Sequence, residues 1–156
     1  MDQFSFPFQR SQVAQFPQQV QALIAAANAA TAKAYAPYSK FKVGAAVLLN
    51  DDTILTGANH ENASFPAGVC AERAVLSSLD MDGSQKVKAM AIAYQPEHKA
   101  QHPPLSPCGI CRQTILEVQL KQQQPITIYM TNPAGEVIMV EDASFLLPFH
   151  FSSDYL

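Results

Sequence analysis

Two short runs, Cys70-Ala71-Glu72-Arg73 and Pro107-Cys108-Gly109-Ile110-Cys111-Arg112-Gln113, hold all three cysteines of this chain and limit most tightly how it can fold. Cys108 and Cys111 are three residues apart, so on a helix their sulfurs share one face. Each run also stands where a helix should begin. Pro66 and Gly68 precede the first, and Ala74, Val75 and Leu79 follow it at helical spacing. Pro107 and Gly109 open the second, ahead of Ile115, Leu116 and Val118. A helix N-terminus presents N–H groups without partners and the positive end of the helix dipole, which favours thiolate over thiol. A fold in which two such ends converge brings three thiolates together, and three thiolates make a zinc site.

Three protein ligands leave one tetrahedral position open, as in catalytic rather than structural zinc sites. That position takes water, whose pKa zinc lowers to roughly 7. Glu72 lies two residues from Cys70, too near along the chain to be a fourth ligand but well placed to move a proton. Cysteine, then glutamate, then Pro-Cys-x-x-Cys is the layout of zinc-dependent base deaminases. The alternative is a reduced, metal-free protein with three buried cysteines. An odd cysteine count around Cys-x-x-Cys reads as metal rather than disulfide, and so as a cytoplasmic chain.

At 156 residues the chain fits one domain, expected over residues 17–156, behind an extension of residues 1–16 with alternating Phe4, Phe6 and Phe8. That alternation allows a short edge strand or a surface-lying extension. Charged residues are only 15%, so part of the 48% that is hydrophobic is expected to be covered by other subunits. The net charge is −3 with no cluster of lysine or arginine, which disfavours nucleic acid as substrate or partner. No signal peptide and no membrane span is expected.

Periodicity predicts helices over 17–34, 70–79, 108–121 and 142–147, and strands over 43–49, 53–59, 87–94, 126–131 and 137–140. The expected architecture is α/β: a five-stranded mixed sheet with helices on its faces. Asn132-Pro133-Ala134-Gly135 is too short for a parallel crossover, so the last two strands must form an antiparallel hairpin. Asn59 and Glu61 share one side of a strand end and could hold a hydroxyl pair; a solvated strand end explains them as well. Phe41 beside a strand reads as core, and Arg73 as a surface ion pair or a partner of ligand sulfurs. His98 and His102 have metal-ligand spacing, but Pro96, Pro103 and Pro104 argue against a helix there.

Tyr35-Ala36-Pro37-Tyr38-Ser39, Val43-Gly44-Ala45-Ala46, Asn59-His60-Glu61-Asn62-Ala63 and the two cysteine runs together resemble cytidine deaminase, in its small homotetrameric form with three cysteine ligands. The resemblance spans about residues 20–156 and implies the three-layer α/β/α fold of that family. It implies one zinc per chain on Cys70, Cys108 and Cys111, with Glu72 as proton carrier and Arg73 draining charge from the sulfurs. It also implies Phe41, Asn59, Glu61 and the Ala71 N–H as substrate contacts. Phe151 would reach a neighbouring subunit's pocket, with docking on its own subunit as the other reading. The reaction implied is hydrolytic deamination of cytidine and deoxycytidine in pyrimidine salvage. A modified or antibiotic cytosine nucleoside is the alternative substrate, and a zinc-stabilised binding protein without turnover the alternative class. In that superfamily the antiparallel last hairpin goes with nucleoside rather than polynucleotide substrates. Phe65 departs from a tyrosine that many relatives carry.

Overall fold

The computed structural model describes residues 1–97 and 102–156; the predicted but disfavoured ligand position His98 lies outside the described residues. Strands β1 (Gln9–Gln12), β2 (Lys42–Leu49), β3 (Ile54–Ala58), β4 (Val87–Gln95), β5 (Thr127–Thr131) and β6 (Glu136–Val140) form one sheet in the order β1-β6-β5-β4-β2-β3. Helix α1 (Gln18–Ala30) covers one face, and α2 (Ala71–Leu76) and α3 (Gly109–Gln122) cover the other. The layers are therefore α/β/α. Only β4 and β5 pair in parallel, joined through α3, while β5 and β6 form the expected antiparallel hairpin.

The sheet has six strands where periodicity predicts five. The additional strand is β1, whose Gln9, Arg10, Ser11 and Gln12 pair with Met139, Ile138, Val137 and Glu136. Both faces of Gln-Arg-Ser-Gln are polar and mostly exposed, so nothing in its hydropathy marks it as a strand. Its partner lies more than a hundred residues away. The aromatic alternation just before it serves a different end: Phe6 stacks on Phe145 with ring centroids 5.6 Å apart. β1 also covers β6, which would otherwise present an open edge.

The two faces of the sheet differ in side-chain size, and this sets how closely the helices approach. On β4, Met90, Ile92 and Tyr94 point into the core under α2 and α3, while Ala89, Ala91 and Ala93 face α1. Small side chains let α1 settle close to the strands through Leu23, Ile24 and Ala27. At the closest point Gly44 has no room for a side chain, since a Cβ there would lie 2.1 Å from the Ala27 carbonyl oxygen. Gly44→Ala is expected to destabilise the fold by about 3 kcal/mol or more, as overpacking of a rigid core does. An unchanged denaturant midpoint for that variant would contradict the close packing of α1.

Helix α2 is shorter than the 70–79 that its spacing predicts. The Ser77 hydroxyl donates to the Arg73 carbonyl and the Ser78 hydroxyl to the Val75 carbonyl, at 2.7 Å each. These bonds take up carbonyls at the helix end and turn the chain. The predicted final helix is a single 3-10 turn, Ala143–Leu146, with the Asp142 carboxylate accepting from the Ser144 N–H.

Candidate active site

Cys70 is the residue immediately before α2, and Cys108 the residue immediately before α3. Both are extended and both stand at helix N-termini, where the first N–H groups have no helical partner. The packing of α2 against α3 carries these two ends together. The Cys70 and Cys108 sulfurs are 3.8 Å apart, those of Cys108 and Cys111 are 3.2 Å apart, and all three lie within 4.8 Å of one another. Tetrahedral zinc with Zn–S bonds near 2.3 Å needs neighbouring sulfurs roughly 3.8 Å apart. The donor set fits zinc, the Cys70–Cys108 pair stands at that separation and the Cys108–Cys111 pair somewhat closer, and soft thiolates favour zinc over magnesium or calcium.

The thiols already share protons among themselves. The hydrogen bond from Cys111, with help from Cys108 and the charge of Arg73, holds Cys70 down at about 6 against the opposing effect of burial. Cys111 is pushed up in turn, first by that bond to Cys70 and then by burial. A cation held by the cluster takes the place of the shared proton.

Glu72 is only 4% exposed, yet it lines a cleft of about 720 Å³ together with Cys70 and Cys108. Burial raises its carboxyl above the usual carboxylate range, and the Cys70 charge raises it further. Its own backbone N–H and a contact with Cys111 pull the other way. A carboxyl raised in this way holds a proton more readily than a free carboxylate, as a group that both takes and gives one must.

The far wall of the cleft is built from the end of β3 and the start of β2. The Asn59 side chain accepts from the Val43 N–H at 2.8 Å and donates to the Phe41 carbonyl at 3.0 Å. The Glu61 carboxylate accepts from the Tyr38 N–H at 2.8 Å and the Ser39 N–H at 3.3 Å. Both residues therefore tie down residues 38–43 with part of their bonding capacity. Each keeps lone pairs, and Asn59 a second N–H, beyond these bonds, and both residues line the cleft. Phe41 forms the apolar part of this wall and stacks on Tyr94 at 5.2 Å, while the Tyr94 hydroxyl donates to the Pro103 carbonyl. Ala71 is fully buried at the start of α2 and also lines the cleft.

Residues 17–126 match the family described as Cytidine and deoxycytidylate deaminase zinc-binding region. A cytidine deaminase of Sporosarcina psychrophila is 40% identical over 137 residues, 88% of this chain and 94% of that one. The chain belongs to the cytidine deaminase family. A second relative, the cytidine deaminase of Halalkalibacterium halodurans, is 37% identical over 86% of this chain and 95% of its own. Among solved structures, the cytidine deaminase of Burkholderia pseudomallei matches with a TM-score of 0.73 at 41% identity, over 84% of this chain and 98% of that chain. That of Mycobacterium tuberculosis matches with 0.64 at 36% identity, over 85% and 96%.

As a cytidine deaminase family member, the chain brings Cys70, Glu72, Cys108, Phe41, Asn59, Glu61 and Ala71 to one cleft, with Cys111 behind them in the sulfur cluster and Arg73 and Phe151 outside the cleft lining. Among the described residues the Arg73 guanidinium makes no hydrogen bond to a cysteine sulfur, and it acts on Cys70 through its charge. Phe151 is 57% exposed, absent from the cleft lining, and stacked on Tyr155 at 5.6 Å. Phe65 lines the mouth and meets the Tyr38 ring edge-on at 5.8 Å. His102 stands beside Tyr94 rather than in the cysteine cluster. Leu105 and Ser106 also line the cleft, and neither was expected there. The loop that carries them is anchored by the Leu105 N–H on the Thr131 carbonyl and by the Asn132 amide on the His102 carbonyl. Only its proline content hinted at a fixed path.

Proposed function

We propose that this chain hydrolyses cytidine and deoxycytidine to uridine and deoxyuridine, releasing ammonia. The observation that carries this reading is the buried Glu72 carboxyl beside three converging sulfurs, in a cleft that no lysine or arginine among the described residues lines. Curated relatives that this chain nearly spans are named cytidine deaminase. One zinc per chain, held by Cys70, Cys108 and Cys111, supplies an acidified water when bound. Glu72 receives the proton released as water adds at C4 of the pyrimidine and delivers it to N3. It then carries the remaining hydroxyl proton to the 4-amino nitrogen, which leaves as ammonia while the C4 carbonyl forms. The atoms balance: nucleoside and water go in, and the 4-oxo nucleoside and ammonia come out.

The Ala71 N–H holds the pyrimidine carbonyl, Phe41 packs against the ring, and Asn59 with Glu61 holds the sugar hydroxyl. Hydrogen bonds from Ser39, then from Tyr38, keep Glu61 below the usual carboxylate range, so it stays an acceptor into mild acid. The nucleoside KM is accordingly expected to stay flat as pH falls toward that range. A net charge of −3, and a cleft that no lysine or arginine among the described residues lines, favour a free nucleoside over nucleic acid. No helix of the described residues is long and apolar enough to cross a membrane. The free thiols suit a reducing, cytoplasmic setting and a role in pyrimidine salvage.

Ammonia release from cytidine, deoxycytidine, cytosine, adenosine and blasticidin-like nucleosides tests the assignment. Cytosine is expected to be very poor, because Asn59 and Glu61 are then left without the hydroxyl they hold, a loss of several kcal/mol. A Glu61→Ala variant that still prefers cytidine over its 3′-deoxy analogue as the parent does would place the clamp elsewhere.

The exposed tail aromatic supports a homotetramer with shared sites, in which Phe151 packs on the pyrimidine in a neighbour's cleft. Such a contact contributes about 0.5–1.5 kcal/mol beyond area burial. Phe151→Ala is expected to raise KM several-fold with zinc content unchanged. Mixing it with Glu72→Gln protein under subunit exchange should restore tight binding at some sites. A fully active monomer by sedimentation, or no recovery after proven exchange, would contradict sharing.

A further inference from the structure

The last two residues of the second cysteine run reach toward the C-terminal segment rather than the cleft. The Arg112 guanidinium donates to the Pro107 carbonyl and the Ser106 hydroxyl at 2.9 Å each, and to the Leu146 carbonyl at 3.1 Å. One side chain thus joins the loop before Cys108 to the point where the chain leaves the Ala143–Leu146 turn. The next residue, Gln113, donates its Nε2–H to the Phe151 carbonyl at 2.9 Å. Between these grips Pro148 lies in a stretch with no helix or strand, and Ser152 is buried directly after Phe151. The Phe151 backbone is therefore held to α3 while its ring projects outward, 57% exposed.

We propose that Gln113 is a positioning residue for Phe151, fixing where the ring stands from a base that Arg112 sets. The inference rests on the reading that Phe151 serves a neighbouring subunit's cleft. A ring that must meet a flat pyrimidine in another subunit loses its contact if its backbone drifts, and loops without regular structure drift unless tied. Gln113 supplies that tie from the helix that carries Cys111. The same α3 therefore places a ligand in its own site and an aromatic in the next.

The test measures kcat, KM for cytidine, zinc per chain and sedimentation for zinc-loaded Gln113→Glu and Gln113→Lys, in parental and Phe151→Ala backgrounds. Glutamate keeps the shape of Gln113 but has no N–H to donate, and it sets a carboxylate against a carbonyl. Loss of one such bond is expected to raise KM about three- to tenfold. The kcat, zinc content and assembly state should stay near parental values. Gln113→Lys can donate again and should return KM toward the parental value. In the Phe151→Ala background Gln113→Glu should add nothing, a result that a general weakening of α3 would not produce. A parental KM for Gln113→Glu while Phe151→Ala raises KM would overturn this inference alone, as would an equal further rise in the Phe151→Ala background. A parental KM for Phe151→Ala would overturn the shared-site reading and this inference with it.

Discussion

Replacing Glu72 by glutamine is expected to lower turnover of cytidine by about two decades or more, with zinc content at the parental level. The amide keeps the size of the carboxyl but carries no proton between water, N3 and the leaving nitrogen. The amide fits the same buried space at the second residue of α2. The test pairs single-turnover rates with elemental analysis on the same preparation. A near-parental rate in Glu72→Gln would remove the proton carrier from the mechanism. A rate loss that merely follows zinc loss would make Glu72 a support of the metal site instead.

The larger loss is expected from Cys108→Ser combined with Cys111→Ser. Zinc moves the pKa of water from about 15.7 to about 7, and no group of this chain replaces that effect. The double variant should hold no zinc when purified without added metal and show no measurable deamination. Its thermal midpoint should fall below that of the zinc-loaded parent, since metal that binds only the folded state stabilises it. Part of the fall is local, as the Cys108 sulfur accepts the Cys111 N–H at the head of α3. Full zinc content in the double variant would contradict the ligand set.

The convergence of the three cysteines was legible because its chemistry leaves few choices. Three cysteines, a neighbouring glutamate and two helix starts can converge in few ways, and the intervening elements in the structure allow that convergence. The antiparallel β5–β6 hairpin was equally readable, since chain length alone forbids the alternative. Strand β1 was not. Its residues are polar on both faces, and its pairing with β6 depends on a contact between the two ends of the chain. Hydropathy carries no trace of such a partner.

The far wall of the cleft was half legible. Strand periodicity put Asn59 and Glu61 on one side, but it could not show that both hold residues 38–43 through backbone N–H and carbonyl groups. Nor could it show Tyr94 behind Phe41, because a buried tyrosine in a β-strand is ordinary core until its hydroxyl finds Pro103. Contacts made by main-chain groups leave no signature in residue type. The same holds for Gln113, whose partner is a carbonyl 38 residues along the chain.

The most direct measurement is deamination of cytidine in heavy-oxygen water by zinc-loaded protein. Uridine should carry one heavy oxygen at C4, with one ammonia released for each uridine formed. Uridine without the label, or no uridine from protein with zinc on its three cysteines, would contradict hydrolysis at this site.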